Sequence, residues 1–231
     1  MASPPGRPPG LPAEVRALAL RLGATGDPAL SGVTLTQSGT MRDGPADRFR
    51  RFSAVQRIEL HRPDFSWRAR AGPFGCISVV DAMRGGEARL EVRLLGLLRI
   101  AGLRGGEAPA KGEVMRYLAE LAWAPDAILL NPALSWQVVD GRTLRVAAGH
   151  GAARGEVELG LDEEGRIASV LAADRPRREG DGFVGRPWRG RFRGYRRHEG
   201  RWLPFRGEVG WQLEGGWFTA WRGAIGDWSI T

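Results

Sequence analysis

One cysteine, one lysine and three histidines are all that these 231 residues contain of those types, and each shortage removes a class of answer. Cys76 has no partner for an intramolecular disulfide, so neither a disulfide framework nor an oxidising compartment is indicated; it reads as a small apolar residue on a strand. His61, His150 and His198 lie far apart and none sits in a metal-ligand spacing, so no metal is expected. A Gly-x-Ser-x-Gly elbow is missing, Cys76 has no evident base in its strand, and Gly102 to Gly106 lacks the Lys-Ser/Thr of a phosphate loop. No catalytic residue and no cofactor is therefore assigned, and the chain is read as a non-enzyme. Long apolar runs are also missing, which argues against a transmembrane helix, and the proline-rich start Met-Ala-Ser-Pro-Pro-Gly has no apolar core of a signal peptide. On this reading the chain as given is expected in the cytoplasm.

What the chain has in quantity is arginine. The net charge of +8 resembles a nucleic-acid signal, but it is concentrated. Between Arg175 and Arg206 there are eleven arginines against Glu179, Asp181 and Glu199, and the remainder is neutral. Within that segment Trp188, Gly190, Phe192 and Gly194 alternate with Arg189, Arg191 and Arg193, which is the pattern of a strand with one wet face. A nucleic-acid or anionic-surface binder working through residues 175–206 is kept as the alternative reading, with the plain strand preferred.

Hydrophobic residues make up 42% of the chain, ample for a core. Residues 1–11 read as a disordered leader, because repeated Pro and Gly sustain neither helix nor strand, and 12–231 as a single domain without a linker-like boundary. A first helix is expected from Pro12 to Leu22, burying Val15, Leu18 and Leu22. From Gly32 the hydrophobic period is two: Val33, Leu35, Gln37, then Phe52, Ala54, Gln56, Ile58, Leu60, then Phe65, Trp67, Ala69. Asp43-Gly44, Gly85-Gly86, Asp140-Gly141, Glu164-Gly165, Glu199-Gly200 and Gly215-Gly216 punctuate the runs as tight turns, so neighbours are antiparallel. The acidic Asp162-Glu163-Glu164 is placed on one of these turns rather than in a carboxylate pair for acid–base work.

The strand series is interrupted by one amphipathic helix, expected over residues 113–123. Val114, Met115, Leu118, Ala119, Leu121 and Ala122 form its broad apolar face, and Glu113, Arg116 and Glu120 cluster opposite. A short second helix with Pro125 in its first turn follows, reaching Leu129. About eleven antiparallel strands do not stay open and flat. The expected fold is therefore mainly β: a strongly curved sheet or half-barrel, with an N-terminal helix and the mid-chain helical insertion covering its concave face.

Several blocks together resemble a bacterial domain family of unknown function. They are Gln37-Ser-Gly-Thr-Met41, Phe52-Ser-Ala-Val-Gln56, Pro63-Asp-Phe-Ser-Trp-Arg-Ala69, Arg116-Tyr-Leu-Ala-Glu120 with Trp123-Ala-Pro125, then Trp136, Asp162 to Ile167, Leu203-Pro204 and Glu208 to Trp211. The resemblance runs from about Leu11 onward and brings no catalytic residues with it. The order of elements also resembles the LolA/LolB-type lipoprotein carriers, which implies an incomplete barrel with a helical lid over an apolar cavity for acyl chains.

The function expected on these grounds is non-catalytic carriage of a hydrophobic small molecule, lipid-like or an acyl chain, between sheet and helix. Phe65, Trp67, Trp123, Trp136 and Trp211 are the expected cavity residues, and Arg116 with Glu120 the expected head-group contacts if that helix face meets the protein interior. An enzyme of unrecognised type using Glu120, Arg116 or Asp81 is the remaining possibility, since strands assemble sites that sequence spacing hides.

Overall fold

The computed structural model describes residues 10–231; the segment expected as a leader lies, except for Gly10 and Leu11, outside the described residues. Helix α1 (Ala13–Arg21) leads into six strands: β1 (Gly32–Met41), β2 (Arg50–Glu59), β3 (Phe65–Ala71), β4 (Ile77–Arg84), β5 (Glu87–Leu94) and β6 (Leu98–Arg104). Helix α2 (Glu107–Ala119), a 3-10 turn (Glu120–Ala122) and α3 (Ala127–Leu130) form the insertion. Seven more strands complete the described chain: β7 (Ser135–Asp140), β8 (Thr143–Ala148), β9 (Gly155–Leu161), β10 (Ile167–Glu179), β11 (Gly182–His198), β12 (Arg201–Leu213) and β13 (Gly216–Ile230).

All thirteen strands join one antiparallel sheet in the order β6-β5-β4-β3-β2-β1-β13-β12-β11-β10-β9-β8-β7. Two meanders thus meet along β1 and β13, and the sheet curls around the insertion as a half-barrel. The count exceeds the expected eleven because β4, β5 and β6 lack a clean buried/exposed alternation; their inward residues are only partly covered, so the period-two signal is weak there. Where alternation was clear it holds. Phe52, Ala54, Gln56 and Ile58 of β2 are buried while their neighbours face solvent.

The turns behave as glycine chemistry requires. Gly85 and Gly86 both have positive φ (57° and 87°) between β4 and β5, a conformation that a β-carbon disfavours. Asp140-Gly141 joins β7 to β8, and Gly215-Gly216 joins β12 to β13.

Helix α2 departs from its expected span at both ends. It starts at Glu107, earlier than residue 113, because Gly106 turns the chain at φ 92° and Pro109 sits in the first turn, where a missing N–H costs nothing. Gly112 is tolerated inside it where the helix passes the Pro176 carbonyl, which a β-carbon would approach to 3.8 Å. The α-helix stops at Ala119, and a tighter turn carries Glu120 to Trp123, closed by Trp123 N–H donating to Glu120 O at 2.8 Å. The first helix runs one residue shorter than expected at each end, with Val15, Leu18 and Leu22 buried as foreseen.

The apolar side of α2 packs on β8, β9 and β10. The insertion is fastened by indole N–H groups: Trp123 Nε1 donates to Pro204 O at 2.9 Å, and Trp228 Nε1 donates to Trp123 O at 2.8 Å. Below it, the buried Asp126 accepts from Arg201 at 3.1 Å and from the Thr25 backbone at 2.9 Å, tying α3 to β12 and to the segment after α1.

Candidate functional site

The opposite side of α2 determines the site. Glu113, Arg116 and Glu120 are spaced i, i+3, i+7, so all three leave one side of the helix. That stripe faces the sheet and is largely withdrawn from water, Glu120 buried and Glu113 and Arg116 each 17% exposed in their side chains. The sheet answers it with polar residues at positions that the strand period reserves for apolar ones. Gln37 on β1, Gln56 on β2 and Asp81 on β4 all point inward, and Gln56, Trp67 and Asp81 are cross-strand neighbours in one row.

These groups form one network. Trp67 Nε1 donates to Gln37 Oε1 at 2.7 Å, Gln37 Nε2 donates to Gln56 Oε1 at 3.1 Å, and Gln56 Nε2 donates to Glu120 Oε2 at 2.5 Å. Arg116 then donates from Nε to Glu120 Oε1 at 2.9 Å and from Nη1 to Asp81. Its guanidinium also lies over the rings of Phe65 and Trp67, 4.7 and 5.4 Å from their centroids. Although burial opposes its charge, the carboxylates of Glu120 and Asp81 hold Arg116 above the ordinary arginine range. Burial raises Glu120, with Arg116 pulling the other way.

A second guanidinium enters from β10. The pairing of β10 with β11 shifts between Ala172 and Arg175, placing one extra residue on β10. Such a bulge reverses the alternation, and Arg175 faces the interior together with Ala172. Its guanidinium carbon stands 4.7 Å from the Trp188 ring centroid and 5.4 Å from that of Trp211. Its Nε donates to Gly112 O at 3.1 Å, and its nearest carboxylate, Glu113 Oε1, is 3.9 Å from Nη2. Glu113 Oε2 is buried without a hydrogen-bond partner. Burial first, then the neighbouring charge of Asp81, pushes the Glu113 carboxyl up to about 8. Burial likewise lowers Arg175.

Between α2 and the sheet these side chains bound a cavity of about 320 Å³. Trp67, Trp123, Trp188, Phe192, Val209 and Trp221 supply its apolar walls; Gln37, Asp81, Arg116, Glu120 and Arg175 line it as polar groups, as do Arg42, Asp43 and Glu208. The aromatic walls brace one another: Trp123 meets Phe192 edge-on at 5.4 Å, and Phe52 backs Trp221 at 5.7 Å. Gly207 leaves the floor open where a β-carbon would come within 3.3 Å of Trp123 and 3.4 Å of Trp221.

Of the residues expected at a cavity, Trp67 and Trp123 line the hollow, as do Arg116 and Glu120. Phe65 lies one layer deeper beneath Arg116, and Trp211 beneath Arg175 and Arg177. Trp136 sits on the edge strand β7, half-buried, with its Nε1 lacking a partner, outside this lining. Asp81, Arg116 and Glu120, named together from sequence, do converge. Sequence reading missed Arg175, Trp188, Phe192 and Trp221. The available signal was Gln37 and Gln56, amides set into otherwise apolar inward rows. Among the described residues no His, Cys, Asp or Glu cluster is placed to hold a metal, and no helix is long and apolar enough to cross a membrane.

A curled antiparallel sheet holding a helical insertion in its concavity defines a LolA-like fold. The chain superposes on a LolA superfamily protein from Nitrosomonas europaea with a TM-score of 0.55 at 10% identity, over 94% of this chain and 93% of that one. A domain from Vibrio parahaemolyticus described as an outer membrane lipoprotein-sorting protein gives 0.52 at 10% identity, over 94% and 91%. No functionally curated protein matches the sequence. Residues 3–223 match the family of unknown function DUF6544, and the chain belongs to that family.

Proposed function

We propose that the protein is a non-catalytic carrier or sensor of an amphipathic small molecule, a lipid or acyl chain held between the sheet and α2. The observation that carries this reading is the tryptophan-walled hollow of about 320 Å³, within the range of small-ligand sites, with charged and amide groups among its lining. An apolar chain against Trp123, Trp188, Phe192 and Trp221 gains the transfer free energy of leaving water, and the tight walls add dispersion contacts. The lipoprotein-sorting description of a structural neighbour supports the same reading.

Gentle purification followed by solvent extraction and mass spectrometry tests it. The expected result is a recurrent amphiphile in near-stoichiometric amount, and quenching of tryptophan emission by a dibrominated acyl chain added to stripped protein. A protein that extracts clean, is not quenched and keeps a collapsed interior in lipid-soaked crystals overturns the proposal.

A second reading has one observation of its own. On the outer surface Arg193 of β11 stands directly opposite Arg206 of β12, and Arg191, Arg196 and Arg222 surround the same trough, with Glu208 the acid lining it. An anionic surface or nucleic acid bound there would be released steeply by salt. Absent or salt-insensitive binding removes this alternative.

A further inference from the structure

The three arginines that line the hollow are equipped for different work, and Arg42 is committed to the Thr219 carbonyl at 2.9 Å and the Pro45 carbonyl at 2.8 Å. Arg116 is charge-paired: Glu120 and Asp81 accept from its Nε and Nη1, and two rings lie over its guanidinium. Arg177, the next inward arginine on β10, is committed to the Asp43 carbonyl at 3.1 Å and lies 3.8 Å from Glu179. Arg175 is different. Of its five N–H donors, Nε alone has a hydrogen bond among the described residues. Its only acidic neighbour within ion-pair range is Glu113, at 3.9 Å, which is a charge contact without a hydrogen bond. The guanidinium is nonetheless largely withdrawn from water, its side chain 14% exposed, and it forms part of the cavity lining.

A guanidinium largely withdrawn from water, with donors unused, is stabilised by an acid that completes it. The bulge in β10 sets it there, Trp188 and Trp211 hold its plane, and the fork it presents matches two oxygens of one acid. Glu113, its carboxyl raised by burial, leaves this cation without a full counter-charge.

We propose that Arg175 is the head-group receptor of the hollow: it takes the anionic end, a carboxylate or phosphate monoester, of a ligand whose apolar chain lies against the tryptophans. This rests on the carrier reading above and assigns the polar end of the cargo to β10, not to the Arg116–Glu120 pair. Asp81 and Glu120 do not compete for Arg175, since both are held by Arg116.

The test compares dodecanoate, dodecyl phosphate and methyl dodecanoate, titrated below their aggregation limits into stripped protein and followed by tryptophan emission. Wild-type protein is expected to bind at least one of the two anions about tenfold or more tighter than the ester, the size of one charge-assisted hydrogen-bonded contact. The tighter anion identifies the head. In Arg175→Gln the anion-to-ester ratio falls to about one, and Arg175→Lys, a point charge without the fork, gives an intermediate ratio. Equal wild-type affinity for anions and ester overturns the head-group assignment and leaves carriage standing. Discrimination that survives in Arg175→Gln overturns it too, by placing recognition elsewhere. Failure of all three probes to bind sinks the carrier reading itself. If Arg175→Gln fails to fold, Arg175→Lys carries the comparison, and an anion-to-ester ratio unchanged from wild type in that variant overturns the assignment.

Discussion

Glu113 shows how much one inward carboxyl sets at this site. Its folded pKa of about 8 lies above the ordinary value of 4.5, because burial and Asp81 disfavour its charged form. A carboxyl raised in this way adds to stability fully below 4.5, and that contribution is lost as pH climbs through about 8. Glu113→Gln removes the titration. Its stability relative to wild type should therefore rise between about pH 5 and pH 9, by on the order of a few kcal/mol, in urea melts at the two ends of that window. A constant difference across the window would show that Glu113 titrates normally. The residue was legible in the sequence; its setting was not. On a helical wheel Glu113, Arg116 and Glu120 make a polar side that water is the default to cover, and only the inward Gln37, Gln56 and Asp81 show that protein covers it instead. Arg175 was hidden for another reason: a single inserted residue in β10 reverses the alternation from which its orientation would be read.

Among the elements, hairpins were the most legible. Gly-Gly and Glu-Gly pairs fall between paired strands with positive φ at Gly85, Gly86, Gly165, Gly200 and Gly216, angles that few other residues adopt; Asp140-Gly141 turns without one, and Asp43-Gly44 lies in a longer connection between β1 and β2 and not in the tight turn expected. Element ends were less so. The start of α2 was masked by Pro109 and Gly112, residues that argue against a helix interior until the first turn and the neighbouring strand are seen. On β11 the predicted alternation holds, with Trp188 and Phe192 buried and Arg189, Arg191 and Arg193 outside. The outward row nevertheless contains a conflict, since Arg193 and Arg206 face each other across the strand pair, with Glu208, 4.0 Å from Arg193 and 3.8 Å from Arg222, the acid they share it with. Like charges directly opposite destabilise a sheet, and threonine suits an exposed strand position. Arg206→Thr is expected to raise stability by about 0.2–1 kcal/mol at low salt, and less at high salt. A loss of stability in urea denaturation at low salt would show that the pair is compensated by another contact.

For the molecule as a whole, the question is whether the hollow is a working space or an incidental gap. Gly207 offers a direct probe, because its missing side chain points between Trp123 and Trp221. Gly207→Leu places branched carbon in the cavity. It should cost about 1–3 kcal/mol through crowding while the sheet still forms, and weaken binding of an acyl probe by about tenfold or more. Thermal melting reads the first effect and titration the second; unimpaired binding would show that the guest does not use this space. The overall class was legible because thirteen antiparallel strands and one buried helix leave few ways to enclose a core. The volume was not, since it is the remainder left after all side chains are packed.

The seam between β1 and β13 carries a cost in time. Val33 pairs with Ile230, and the Thr231 N–H donates to Gly32 O at 2.9 Å. Each meander can zip locally as it is made, but the bond that unites them awaits the last strand described here, while the inward Phe52, Phe65 and Trp67 of the first half remain exposed. Loop closure over such a separation is slow. Whatever shields that half-built cup in the interval, a chaperone or the guest itself, would govern how much protein reaches its final form.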